Sequence, residues 1–255
     1  MDATEAKKLE RGRTRLAGIG FGIALASGIA ALFAGLGTRW EWWDYRAGLI
    51  ILPAAALSGL ASAALSLFAA FAALRSGQRR AVVFGLHGLI IGALVFGVPW
   101  YLLNEGRKVP PIHDISTDTD NPPRFVAVLQ VRRTAPNPAE YGGAEIAAQQ
   151  KKGYPDLAPA MLSVPPRAAF DHAVKIARAS GWEIVALAPQ DYRIEATATT
   201  DWFGFKDDVV VRIAPSGNGS RVDVRSVSRV GVSDLGANAR RIREFLRQLV
   251  ASATG

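Results

Sequence analysis

Three long uncharged runs of mostly apolar residues fill the first part of the chain. They cover residues 16–37, 48–74 and 81–103. At a rise of about 1.5 Å per residue, a helix of this length crosses a hydrocarbon core of roughly 30 Å. We therefore predict a three-helix transmembrane region at residues 16–103, which follows a cytoplasmic tail at residues 1–15.

Basic residues are distributed unequally around the three runs, and this distribution predicts their orientation. Five precede the first run and three lie at residues 75–80, against two at residues 38–47 and two just after the third run. Loops rich in Lys and Arg stay on the cytoplasmic side of a membrane. We expect a multi-pass protein of the inner (plasma) membrane, with a cytoplasmic N-terminus and a periplasmic or otherwise extracytoplasmic C-terminal domain.

Two features inside the spans have alternative interpretations. The Gly18–Gly22 and Gly88–Gly92 pairs have the spacing that allows close helix packing, either within the chain or between copies of it. His87 is the one ionisable residue within a span, which suits a proton relay or a neutral side chain bonded to a neighbouring helix. We favour the neutral side chain, because the spans contain no charged partner for His87.

From residue 104 onward the pattern is that of a soluble α+β domain. Residues 104–124 are polar and rich in proline, which indicates an extended linker, and residues 125–255 form the domain. One helix is expected between Pro165 and Gly181, and another begins at Asp234. Strands are predicted at residues 125–131, 182–188, 192–199, 208–214 and 221–227.

Alternation along the last two strands predicts how the domain is layered. Val209, Val211 and Ile213 alternate with Val210 and Arg212, and the segment Ser-Gly-Asn-Gly that follows is typical of a hairpin turn. We expect an antiparallel sheet with one buried face, covered by both helices, and one polar face. The predicted fold class is an α-helical membrane anchor of three transmembrane helices plus an α+β soluble domain.

The charge and composition of the chain exclude or disfavour several classes of function. The net charge is +8, but residues 104–255 hold twenty Lys or Arg against seventeen Asp or Glu, so most of the surplus lies in the membrane region. This balance does not indicate nucleic-acid binding. Cysteine is absent, which excludes disulfides, thiolate metal sites and cysteine nucleophiles.

Several motifs in the second half of the chain resemble a known family. They are Tyr154-Pro155-Asp156, Gly181-Trp182, Thr200-Asp201-Trp202, and the charged and apolar pattern that runs from Asp207 to Ile242. Together they resemble the domain of unknown function 1499 (DUF1499) over about residues 111–249. The resemblance implies an envelope-type setting, with the three spans as an addition that some members carry. Because the family has no established activity, the resemblance implies no mechanism.

Six polar residues crowd around one predicted strand, one turn and the start of the last helix. They are the candidate ligand-binding residues: Arg225, Ser228, Arg229, Asp234, Asn238 and Arg241. In one interpretation their guanidinium groups and the helix N–H groups bind an anion or a carboxylate. In the other they satisfy one another structurally, with Ser233 or Asp234 capping the helix. Arg225 and Arg229 then pair with Asp207, Asp208 or Asp234.

Two further features carry candidate chemistry. Ser233 lies between a strand and a helix as in a nucleophile elbow, but the spacing is one residue too long, and His113 and His172 both precede it. His113 and the aspartates that follow it offer metal ligands without the spacing of a known metal motif. We assign no catalytic residue, no metal and no cofactor.

The predicted function is that of an integral membrane protein with an extracytoplasmic, non-enzymatic binding domain. Its predicted partners are the lipid bilayer and either an envelope protein or a small anionic ligand. One alternative is an envelope hydrolase that acts through Ser233 or a metal near His113. Another is an accessory subunit whose spans pack against a larger channel or permease, since three spans with one histidine make a poor transporter alone.

Overall fold

The computed structural model describes residues 3–254, which form seven helices and six strands. The chain divides into two compact units. The first extends to Asn104 and includes residues 201–204, and the second contains Glu105–Thr200 and the residues from Phe205 onward.

The first unit contains three long apolar helices. They are α1 (Ala3–Arg39), α2 (Tyr45–Leu74) and α3 (Arg79–Gly106). Each includes a stretch that is long and apolar enough to cross a membrane by length and composition. The prediction of three apolar helices in this part of the chain is confirmed.

The glycine pairs differ in their surroundings within this unit. A Cβ on Gly88 would come within 3.0 Å of the α1 backbone, and one on Gly92 would come within 2.5 Å of a backbone oxygen of α2. No atom lies within 4 Å of a Cβ placed on Gly18 or Gly22, so only the second pair packs inside the unit. The Nδ1 atom of His87 lies 2.8 Å from the carbonyl oxygen of Val83. The expected bond from His87 to a neighbouring helix is therefore wrong, because the bond stays within α3.

The second unit is built on a six-stranded antiparallel sheet. Its strands are β1 (Asp114–Ser116), β2 (Ala160–Leu162), β3 (Glu183–Ala188), β4 (Arg193–Thr199), β5 (Lys206–Ser216) and β6 (Gly219–Ser228). The strand order is β1-β6-β5-β4-β3, and β2 pairs with the part of β6 that β1 leaves open. Ser216 and Gly219 pair across a two-residue turn, which confirms the predicted hairpin.

Two helices cover one face of this sheet, as predicted. The helices of this unit are α4 (Val128–Val131), α5 (Gly143–Gly153), α6 (Pro166–Ala179) and α7 (Ala237–Thr254). Buried side chains of α6 and α7 pack on the apolar side chains of β4, β5 and β6 that face them. Trp182 stacks on Phe245 of α7 with ring centroids 5.0 Å apart. The α+β architecture with both long helices on one face is confirmed.

Two local predictions are wrong. Residues 125–131 do not form a strand, because the N–H groups of Val126 and Val128 donate to Glu195 Oε2 at 2.9 Å each instead of to a neighbouring strand. Residues 104–124 are not only a linker, because β1 lies within them and pairs with the open edge of β6. In addition, α5 lies at Gly143–Gly153, where neither a helix nor a strand was predicted.

Candidate functional site

The sheet face opposite α6 and α7 carries a layer of charged side chains. Successive strand residues point to opposite faces, so alternate positions of β4, β5 and β6 share this side. We call the set the ionic layer: Asp114, Arg193, Glu195, Asp208, Arg212, Asp223, Arg225 and Arg229. This face was predicted to be polar, and it is, but it is also covered. Residues 118–141 lie over it, with Phe125 and Val128 packed against Val210 and Val227.

Arg225 has the most extensive set of contacts in the ionic layer. Its Nε and Nη2 atoms donate to the two oxygens of Asp114 at 2.9 and 2.7 Å. The same guanidinium donates to the carbonyl oxygens of Pro123 and Ala139 in the covering segment, at 3.3 and 2.8 Å. It also lies over the Phe125 ring, 5.1 Å from the centroid. Arg225 therefore ties β6 to β1 and to the segment that covers the sheet.

Asp208 is the second centre of the ionic layer. Arg229 donates to both of its oxygens at 3.0 and 2.8 Å, and Thr197 Oγ1 donates at 2.8 Å. Arg132, from the covering segment, donates to Oδ2 at 3.0 Å. Burial lowers the pKa of Arg132, an effect that the Asp208 carboxylate opposes. Asp208 thus joins two guanidinium groups that belong to separate parts of the chain.

A second polar cluster lies on the helix side of the sheet. Ser226 Oγ donates to Asn238 Oδ1 at 2.6 Å, and Asn238 Nδ2 donates to Ser228 Oγ at 3.0 Å. Arg241 donates to Asp207 Oδ2 at 2.6 Å, and it also bonds to Ser226 and Asn238. These bonds attach the first turns of α7 to the ends of β5 and β6.

Asp234 organises the start of α7. Its Oδ1 accepts a hydrogen bond from the Gly236 N–H at 2.7 Å, and its Oδ2 accepts one from the Asn238 N–H at 2.8 Å. Burial raises the pKa of the Asp234 carboxyl, while these two hydrogen bonds act in the opposite direction. Asp234 therefore satisfies one N–H group in the first turn of α7. The predicted start of the helix at Asp234 is wrong, because Leu235 and Gly236 have positive φ angles of 51° and 78°, and α7 begins at Ala237.

The six candidate residues do not converge on one opening. Arg225 and Arg229 belong to the ionic layer, whereas Ser228, Asn238 and Arg241 lie on the helix side of the sheet. Each of the six makes hydrogen bonds within the chain. The sheet itself therefore separates the two arginines of β6 from the polar cluster at α7.

The residues that suggested hydrolase or metal chemistry are also apart. Ser233 Oγ accepts a hydrogen bond from the Leu235 N–H at 3.2 Å, while His172 Nδ1 lies 3.0 Å from Ser252 Oγ. His113 Nδ1 lies 3.2 Å from the carbonyl oxygen of Val232. Among residues 3–254, no group of three or more His, Asp or Glu side chains is placed to hold a metal ion.

Two clefts open on the second unit, and their charges differ. The first, of about 380 Å³, has acidic and basic groups in its wall, among them Asp118, Asp120, Lys151 and Arg221. The second, of about 270 Å³, is lined by three arginines and one aspartate together with apolar groups. We call it the arginine cleft; its charged side chains are Arg124, Asp191, Arg193 and Arg212, and Asn121 adds a further polar side chain.

The family model for proteins of unknown function named DUF1499 matches residues 114–249, more than half of the chain. The chain belongs to the DUF1499 family. No curated protein matches it. The DUF1499 match begins at Asp114, the partner of Arg225, and it encloses the ionic layer, the polar cluster of α7 and both clefts of the second unit.

The sequence alone does not indicate every ion pair that the arginines of the DUF1499 domain form. The pairing of Arg229 with Asp208 was among the expected alternatives and is present. The sequence does not indicate Asp114 as the partner of Arg225, because Asp114 lies 111 residues away in a segment without apolar periodicity. Arg132 was missed for the same reason. One feature of the sequence does point to such partners. Arg221, Asp223 and Arg225 alternate along one strand and so share a face, where they require opposite charges from other parts of the chain.

Proposed function

We propose that this DUF1499 protein is an integral membrane protein whose extracytoplasmic domain binds a small anionic ligand in the arginine cleft. The observation that carries the proposal is the placement of three guanidinium groups around one small opening with a single carboxylate among them. Guanidinium groups form paired, charge-assisted hydrogen bonds with carboxylate and phosphate oxygens. The expected ligands are therefore small carboxylates or phosphates.

Two arginines of the cleft keep N–H groups available for a ligand, whereas Arg193 donates to Asp191 and Glu195 at 3.1 and 3.0 Å. Arg212 uses a single atom, Nη2, to donate to both Asp118 Oδ2 and Asp223 Oδ2, at 3.0 Å each. A guanidinium has five N–H donors, so the Nε and Nη1 atoms of Arg212 remain for binding. Arg124 is exposed and has no ion pair among the residues that the structure describes. The cleft thus combines an arginine held by ion pairs with an exposed arginine that has none among the described residues.

The ionic layer supports the wall of the cleft. Pro123 lines the opening, and its carbonyl oxygen accepts a hydrogen bond from Arg225. Val210 also lines it and pairs in register with Arg225 on the neighbouring strand. In this proposal Arg225 acts as a positioning residue beneath the cleft, and Arg229 holds Asp208 within the ionic layer. The remaining candidates hold α7 in place: Ser228, Asp234, Asn238 and Arg241. A preorganised wall lowers the cost of binding.

The membrane part of the proposal is supported by the three apolar helices and by the distribution of Lys and Arg around them. The N-terminus and the α2–α3 connection then lie in the cytoplasm. The DUF1499 domain lies outside the inner membrane, where it meets small solutes of the envelope.

Calorimetric titration of the full-length protein in a nonionic detergent tests the ligand proposal, with succinate and inorganic phosphate as probes. At least one probe should bind saturably. Arg124→Gln should weaken binding by about tenfold or more, because a hydrogen bond to a charged group contributes roughly 1.5–3 kcal/mol. Its thermal stability should stay unchanged, since Arg124 is exposed.

Arg178→Gln is the matched control, because Arg178 is an exposed arginine on α6 outside the cleft. Its affinity for the probe should equal that of the unchanged protein. The proposal fails if neither probe binds, or if Arg178→Gln weakens binding as much as Arg124→Gln does.

A further inference from the structure

A cleft in the first unit lies where the start of α1 meets the turn between α2 and α3. Its volume is about 610 Å³. Four arginines and one glutamate contribute the charged groups of its wall: Glu10, Arg11, Arg15, Arg79 and Arg80. The wall therefore carries a strong surplus of positive charge, and this cleft is separate from the arginine cleft of the second unit.

The four arginines are exposed and lack the ion pairs that hold the arginines of the second unit. None of them forms an ion pair with an Asp or Glu side chain outside this wall among the residues that the structure describes. The Arg80 guanidinium lies 5.9 Å from the centroid of the Phe84 ring, which is its one close aromatic contact among those residues. Like charges gathered in one cleft repel each other, and an anion bound between them relieves that repulsion.

Gln78 adds an independent observation that points to a ligand. It lines the same cleft, and both Oε1 and Nε2 of its side chain are buried without a hydrogen-bond partner among residues 3–254. A buried amide without partners is costly, so such a group calls for a ligand or water. Gln78 directly precedes α3, whose first N–H groups open toward this end of the helix. The Gln78 side chain and the first residues of α3 thus both adjoin the cleft.

The position of the cleft along the helices decides which anion is available. Arg15 directly precedes the first apolar run, and Arg80 directly precedes the third. If the helices span a membrane, as proposed above, the cleft lies at the level of the lipid headgroups. Apolar side chains next to it are exposed, among them Ile19, Leu74 and Val83. These side chains provide a surface for acyl chains directly beside the basic cleft.

We propose that this cleft binds the phosphate group of an anionic phospholipid, with its acyl chains lying along the exposed apolar side chains of the helices. Basic pockets between helices at the cytoplasmic side of a membrane are suited to such headgroups. A free phosphate ion would use the same arginines, but it would gain nothing from the apolar surface. The lipid is therefore the favoured source of the phosphate.

Lipid retention by the full-length protein, measured by native mass spectrometry, tests this proposal. The protein in nonionic detergent is titrated with phosphatidylglycerol and, separately, with phosphatidylcholine of the same acyl chains. Phosphatidylglycerol should be retained about tenfold more strongly. The double variant Arg15→Gln, Arg79→Gln should lose most of this preference, because two charge-assisted contacts are removed. Gln78→Leu should weaken retention without lowering the melting temperature, since it removes two unsatisfied polar atoms.

Arg75→Gln is the matched control. Arg75 lies at the same end of the helices and stacks over Phe71 at 4.3 Å, but it does not line the cleft. Its lipid preference should be unchanged. Equal retention of the two lipids, or an equal loss in Arg75→Gln and the double variant, would overturn the proposal. Complete displacement of the lipid by millimolar inorganic phosphate would assign the cleft to free phosphate instead.

The outcome is distinguishable from a failure of the proposed function. A chain that stays soluble without detergent would remove the membrane placement on which both proposals depend. If the protein requires detergent but shows no lipid preference, only the proposal of a lipid site is overturned. Binding of succinate or phosphate in the arginine cleft responds to Arg124, which is not part of this cleft.

Discussion

Arg225 and Asp114 form a bidentate ion pair across the β1–β6 edge, with both residues almost completely buried at 2% and 4% exposure. The two residues are 111 positions apart in the chain. Two charges removed from water are stable together only if geometry and additional hydrogen bonds compensate for the lost solvation. Here the carbonyl oxygens of Pro123 and Ala139 accept further bonds from the guanidinium.

Arg225→Ala should destabilise the DUF1499 domain by about 3–5 kcal/mol, because it leaves the Asp114 carboxylate buried without a counter-charge. Hydrogen exchange of the β6 amides, measured on the full-length protein by mass spectrometry, reports this loss. Replacing both partners together, with Asp114→Leu and Arg225→Met, should recover much of the stability, since no uncompensated charge remains.

The matched control is Arg247→Ala on α7. Arg247 forms an ion pair with Glu244, but the two side chains are 70% and 51% exposed, and solvent screening leaves such a pair little effect on stability. β6 exchange should barely change in this variant. Similar β6 protection in Arg225→Ala and Arg247→Ala would show that the buried pair contributes no more than a surface pair.

Tyr141 should ionise at unusually high pH. Burial, together with the nearby Asp114 carboxylate, raises the pKa of its phenol to about 12. The pKa in the unfolded chain is near 10, so the folded state binds its proton more tightly, and this contribution to stability is lost as pH rises from about 10 to about 12. The ultraviolet phenolate absorbance of the protein, minus that of Tyr141→Phe, should rise with a midpoint near 12.

The same difference measured in urea should have a midpoint near 10, as expected of a solvated tyrosine. A midpoint near 10 in the folded protein as well would contradict the buried position of Tyr141 beside the ionic layer.

Gly219→Ala should destabilise the domain by about 1–3 kcal/mol, the usual cost of inserting a methyl group where no space exists. A Cβ at this position would overlap the carbonyl oxygen of Leu162, because β2 pairs with the start of β6 there. Thermal unfolding followed by circular dichroism measures the change. Asn218→Ala, in the exposed turn beside it, serves as the control and should shift stability by less than about 0.5 kcal/mol. Equal stability of the two variants would argue against close pairing of β2 with β6.

The gross fold could be predicted because its determinants are local. Uncharged runs of more than twenty residues predict apolar helices, and the alternation in β5 and β6 with a Gly-Asn-Gly turn between them predicts a hairpin. The short strands β1 and β2 could not be predicted. Each has three residues and owes its conformation to the edge of β6, which lies far away in the sequence.

The arrangement of the candidate residues was predictable only in part. Ser233 or Asp234 was expected to cap the last helix because both stand just before an apolar periodic segment, and Asp234 accepts bonds from the N–H groups of Gly236 and Asn238. The split of the six residues between two faces of the sheet depends on strand register. A prediction that placed residues 125–131 in a strand could not show that they cover the ionic layer instead.

The orientation in the membrane can be tested with two reporters fused after the last residue. A phosphatase that folds only outside the cytoplasm should be active, and a fluorescent protein that folds only inside it should be dark. The reason is the eight basic residues that flank the first and third apolar runs on one side, against four on the other.

Replacing Arg75, Arg79 and Arg80 by Gln weakens this bias and should lower the phosphatase signal. A matched change of the two arginines at residues 39 and 46 should leave the signal intact, because these side chains already lie on the translocated side. Strong fluorescence with no phosphatase activity in the unchanged chain would reverse the orientation and place the DUF1499 domain in the cytoplasm.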